Sequence, residues 1–150
     1  MQTRGAIYHH SQLVYHNGVI GKKYLILLNT PAKDEPYLFV KTTSQKKDKP
    51  STPGCIKKRS LFFLPAGKTF FKLDTWVQLY ELYPICHQDI DADKDITIEG
   101  SLSVKLIDEI VNCLFLAEEE NLSLIFKKLL RPPLQDSLSK LQTKFNKNNR

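Results

Sequence analysis

The stretch Tyr24-Leu25-Ile26-Leu27-Leu28-Asn29 decides how this chain folds, together with Tyr37-Leu38-Phe39-Val40-Lys41-Thr42-Thr43 that follows it after a polar interval. The first piece is apolar on both faces and bounded by Gly21 and Pro31, which predicts a central buried strand. The second is rich in aromatic and β-branched residues and predicts another. Upstream, Ala6-Ile7-Tyr8 and residues 12–15 form short apolar or aromatic pieces. They are followed by His16-Asn17-Gly18, whose Asn-Gly pair is a strong turn signal. Downstream, residues 60–64, 69–73 and 77–85 supply further strand material, with Pro65-Ala66-Gly67 turning the chain. Residues 45–55 hold Lys, Ser, Thr, Pro and Gly with almost nothing to bury, and read as a loop. Short strands so closely spaced predict a small barrel or sandwich.

The pattern changes at Gly100. Ser101 or Ser103 can cap a helix in which Leu106, Ile107, Ile110, Val111, Leu114 and Phe115 recur at helical spacing. Leu122, Ile125, Phe126, Leu129 and Leu130 continue that period until Pro132-Pro133 stops it, and Leu134, Leu138, Leu141 and Phe145 share one face of a further helix. The predicted class is therefore mainly β with C-terminal α: a domain over residues 1–117, then a helical, basic extension over 118–150.

With 150 residues, 41% hydrophobic and 25% charged, the chain is sized and composed for one soluble domain with a tail. No stretch approaches the roughly 18 apolar residues that span a bilayer, and MQTRGAIYHH lacks the apolar core of a secretory signal. The expectation is a cytoplasmic protein with no membrane contact. Cys55, Cys86 and Cys113 are odd in number and far apart, which suits a reducing compartment and no disulfide framework.

The net charge of +6 is unevenly spread. Lys41, Lys46, Lys47, Lys49, Lys57, Lys58 and Arg59 crowd one segment, the tail is basic again, and an acidic stretch lies between them. A basic loop and tail could hold phosphates, or could simply be solvated.

Several motifs fail on inspection. Counted from Asp89, the sixth and twelfth positions of a calcium loop hold Lys94 and Gly100 instead of glycine and an acid, so 89–95 reads as a solvated acidic turn. Cys86-His87 has no second pair at zinc spacing. His9-His10 would point to opposite faces of a strand. No metal or cofactor is expected. What remains is a set of polar groups at strand ends: His16, Lys22-Lys23, Thr42-Thr43-Ser44, and Lys72 with Asp74, which a strand would place on one face. In one groove these would supply an acid, a base and a cation, the set needed to cleave RNA without a metal. Apart, Lys72 and Asp74 are an ordinary surface pair.

The order of these pieces resembles the PemK/MazF family of toxin endoribonucleases from type II toxin–antitoxin modules. Arg4-Gly5-Ala6-Ile7-Tyr8 is similar to the family's opening Arg-Gly-acid-Ile-Trp pattern. His16 and Gly21 precede Lys22-Lys23-Tyr24-Leu25-Ile26-Leu27-Leu28-Asn29 where members carry an Arg-Pro-Val-Leu type of strand. Thr42-Thr43-Ser44 looks like the Thr-Thr or Thr-Ser end of the next strand, Lys72-Leu73-Asp74 like its later basic-x-Asp, and 100–115 like its final helix. The resemblance covers residues 4–116. It departs from the family pattern where lysine replaces arginine at Lys23 and Lys72, and Tyr24 replaces proline. Lysine keeps the charge but lacks the planar fork that grips phosphate in two places.

The resemblance implies an SH3-like small barrel followed by helices, and a metal-independent endoribonuclease acting on single-stranded RNA. His16, Lys72 and Asp74 match the catalytic positions of one branch, and Lys23, Thr43 and Ser44 those of the other. Lys22, Lys41, Lys46, Lys47 and Lys49 would guide the RNA backbone. A cognate acidic antitoxin and a homodimer are the implied partners. Two other readings stand beside it: a weak or inactive barrel serving as an RNA-binding or protein-interaction module, and a basic protein that binds nucleic acid through charge alone.

Overall fold

A computed structural model describes residues 3–131. Strands β1 (Ala6–Val14), β2 (Ile20–Leu27), β3 (Tyr37–Thr43), β4 (Gly54–Ile56), β5 (Leu61–Leu64), β6 (Thr75–Ile85) and β7 (Ile96–Ser101) form one sheet in the order β4-β5-β6-β3-β2-β1-β7. All neighbours are antiparallel. The sheet has two ends, β4 and β7, that do not pair with each other. Helix α1 (His87–Ala92) precedes β7, and α2 (Val104–Glu118) and α3 (Leu124–Leu130) follow it. The fold is mainly β with C-terminal helices, as the sequence predicts.

The two quoted stretches behave as read. Every residue of β3 is buried and it sits mid-sheet, and Leu25, Ile26, Leu27 and Leu28 are fully buried beside it. Alternate residues feed two cores. Ile26, Leu38 and Val40 pack with Ile107, Ile110, Val111 and Leu114 of α2, while Leu25, Leu27, Tyr37 and Phe39 pack with Tyr8, Leu13 and Tyr83 on the other face. The two pieces expected before His16 are one strand, β1, with its register shifted between His10 and Leu13. Such a bulge lets a long strand bend without ending. The Asn-Gly signal closes the β1–β2 hairpin: Gly18 takes φ +86°, and Asn17 Oδ1 accepts from Val19 N at 3.0 Å.

Ser103 caps α2 by accepting from Leu106 N. The second helical run does not continue α2. Ser123 opens a new helix, turning Leu130 inward and leaving Leu124 and Ile125 exposed. Leu122, Phe126 and Leu129 pack on the α2 side of the sheet. The predicted stop at Pro132-Pro133 and the helix over 134–145 lie outside the described residues. No helix among those described is long and apolar enough to cross a membrane.

Three expectations are corrected. Residues 69–74 are not a strand; they form bends between β5 and β6, so strand alternation does not relate Lys72 to Asp74. The acidic stretch is not merely a turn, since it contains most of α1 and leads into β7. Finally, Cys55 and Cys113 are joined by a disulfide across 58 residues of sequence. Spacing along the chain could not reveal it, because the fold lays β4 against α2 and brings the two Cα atoms to 5.5 Å. Cys86 is free and exposed.

Candidate nucleic-acid interface

Five of the predicted residues meet in one cavity of about 630 Å³: Lys22, Lys23, Thr43, Ser44 and Lys72 line it. Strand β2 carries the lysine pair, the end of β3 carries the hydroxyls, and the bend before β6 brings Lys72. The apolar wall comes from Tyr24, whose ring meets Phe70 and Phe71 edge-on at 5.6 and 5.8 Å. Thr43 Oγ1 accepts from Gln45 N at 3.2 Å, which leaves its own proton free to donate. His9 also lines the cavity, half-buried, with its ring 5.1 Å from Tyr24. His10 turns the other way and is 8% exposed, so the pair splits as strand geometry requires.

A polar cluster adjoins this cavity through Lys23. The ammonium groups of Lys23 and Lys41 lie 6.0 and 4.6 Å from the centre of the Tyr15 ring. Tyr15 reaches this place because its hydroxyl lies over Gly21, where any Cβ would collide with it. Lys41 is nearly buried and pairs with Glu81 Oε2 at 3.2 Å; Tyr83 donates its hydroxyl to the same oxygen at 2.8 Å. Burial by itself raises the pKa of Glu81, yet the bonds from Tyr83 and Lys41, with nearby His16, hold it below the ordinary value. Burial, followed by the charges of Lys41 and Lys49, pushes the pKa of Lys23 down. Cations crowded this way favour an anion at the site.

The remaining predicted residues are placed as follows. His16 is exposed at the hairpin and rests on Tyr83 at 4.7 Å, next to the Glu81 cluster rather than in the cavity wall. Asp74 is also outside the wall; its Oδ1 accepts from Ala66 N at 2.8 Å and fixes the turn after β5. The imidazole, ammonium and carboxylate of His16, Lys72 and Asp74 therefore do not share one concavity. Lys46, Lys47 and Lys49 lie on the loop after β3, with Lys47 and Asp48 at positive φ. This loop is tied down where Trp76 Nε1 donates to the Pro50 carbonyl at 2.8 Å.

Sequence reasoning missed His9 and Glu81 as site residues. His9 was detectable in principle, because β1 alternation puts it opposite Tyr24. Glu81 carries no comparable signal, since its role depends on the pairing of β3 with β6. No family model matches this chain, and no curated protein matches it either.

Proposed function

We propose that the lysine-lined cavity binds single-stranded RNA, and that the chain is a PemK/MazF-like toxin whose sheet is an opened form of the small SH3-like barrel. The observation that carries the binding reading is the convergence of Lys22, Lys23 and Lys72 with two hydroxyls and an aromatic wall. Ammonium groups meet phosphates, hydroxyls donate to their oxygens, and aromatic rings offer stacking to unpaired bases. The crowding of Lys23 by Lys41 and Lys49 supports the same reading, because a phosphate would relieve it.

Metal-independent cleavage is the second reading, favoured by the imidazole of His9 in the wall. A base takes the 2′-hydroxyl proton and the freed oxygen bonds to phosphorus. The P–O5′ bond then breaks with its electron pair on O5′, and an acid protonates that oxygen, leaving a 2′,3′-cyclic phosphate and a 5′-hydroxyl. His9 would exchange the proton, Lys23 and Lys72 would stabilise the charged phosphorane, and Thr43 and Ser44 would donate to its oxygens.

Such a protein would act as a homodimer or bound to an acidic antitoxin whose carboxylates compete with RNA for the lysines. The test is incubation of purified protein with single-stranded RNA in EDTA. Cleavage lost in His9→Ala and Lys23→Ala but kept in Asp74→Ala is expected. Binding without cleavage would leave a non-catalytic RNA-binding module, and absence of RNA binding would refute both readings.

A further inference from the structure

A second cavity, of about 490 Å³, opens between β1, β3, α1 and β7. Tyr8 lines this one and its neighbour His9 the first, so β1 separates the two. Among the described residues no lysine or arginine lines it; its polar groups are Tyr8, Tyr37, His87, Asp91, Asp93 and Thr97, and isoleucines complete the wall. Three of these are locked together. Asp91 Oδ2 lies 3.2 Å from His87 Nε2, and His87 Nδ1 lies 3.2 Å from the Tyr37 hydroxyl. Asp93 faces His10 at 3.7 Å through one oxygen and accepts from Asp95 N through the other. Tyr8 is different: it is 2% exposed, lines the cavity, and its hydroxyl joins none of these bonds. Burial, then Tyr37 and Asp91, pushes its pKa up to about 12, so it stays a neutral phenol with oxygen lone pairs to offer.

We propose that this cavity is a binding site for an organic ammonium group, held between the carboxylates of Asp91 and Asp93 and the phenol of Tyr8. Two carboxylates in a wall to which no described lysine or arginine contributes attract a cation. The aromatic rings of Tyr8 and Tyr37 favour one that is weakly hydrated, and the isoleucine wall accepts the attached alkyl chain. The ammonium donates to Asp91 and to the Tyr8 oxygen, which makes no hydrogen bond among the described residues. This site is independent of the RNA reading, since it shares no lining residue with the lysine-lined cavity.

The test is calorimetric titration of the intact protein with n-butylammonium and with spermidine at constant ionic strength. A peptide with one lysine, and the same peptide acetylated at that lysine, form separate arms. Saturable binding of the amines is expected, with the acetylated peptide silent. A lysine peptide that binds more tightly than n-butylammonium would mark a polypeptide as the source, and the reverse would mark free amines. Asp91→Asn and Tyr8→Phe should each weaken binding by about tenfold, the usual scale for a lost hydrogen bond to a charged group. Asp91 is 68% exposed in its side chain, so that variant tests the site even if Tyr8→Phe unfolds. Heats no greater than those of sodium chloride, calcium binding without amine binding, or undiminished binding in Asp91→Asn would overturn the proposal.

Discussion

Replacing Lys22, Lys23 and Lys72 together by alanine should remove most of the salt dependence of RNA binding. These three lysines line the cavity, and Lys49 acts on Lys23 closely enough to lower its pKa, so roughly four phosphates are engaged. For a single strand the slope of log affinity against log salt is about −0.7 per phosphate, which gives about −2.8 here. Between 50 and 200 mM salt the native protein should then lose about fiftyfold in affinity. With one lysine left, the slope falls to about −0.7 and the loss to about threefold. Fluorescence anisotropy with a labelled eight-nucleotide RNA over that salt range measures both slopes. Lys57→Ala with Lys58→Ala is the control: both residues are exposed on the 3₁₀ turn before β5 and neither lines the cavity. A triple variant that keeps the native slope, or a control that loses as much, would refute the assignment of this cavity.

Other outcomes follow from the same geometry. The Lys23 ammonium, held below its ordinary pKa when the cavity is empty, should titrate at higher pH once RNA is bound, as read by NMR of its Cε; a downward or absent shift would argue against contact with phosphate. Glu81 has a lowered folded pKa, so its contribution is complete above the unfolded value of about 4.3 and is lost as pH falls through the folded one. Glu81→Gln should cost about 1–3 kcal/mol in urea unfolding at neutral pH, because it leaves the nearly buried Lys41 without its carboxylate; an unchanged midpoint would contradict this. Reducing Cys55–Cys113 should cost up to about 4 kcal/mol on the chain-entropy relation for a loop of 58 residues, measured as a shift in urea midpoint with dithiothreitol.

The strands legible in the sequence were those with a strong one-dimensional signal. β3 needs nothing beyond its own composition, and the β1–β2 hairpin is written in Asn17-Gly18. β7 carries only a weak signal, since the acidic run before it reads as a turn and Ile96 and Ile98 are its only alternating apolar pair. The bends at 69–74 mimic a strand in composition, but Thr69 Oγ1 accepts from Phe71 N and Asp74 reaches Ala66 N, and such local side-chain bonds compete with a ladder. For the site, residues at the ends of β2 and β3 were found because strand ends can be read locally. The Lys41–Glu81 pair and the disulfide could not be, since each joins segments distant along the chain.

The Cys55–Cys113 link also makes a closed covalent ring containing β5, β6, α1, β7 and most of α2. A force applied at the two termini travels past this ring through the sulfur atoms and cannot stretch the residues inside it. At about 3.3–3.6 Å per extended residue, the 58-residue span withholds roughly 200 Å of length from a pulled molecule until a reductant opens the bond. A protease threading the chain from one end would meet the same obstacle, as two strands to draw through at once.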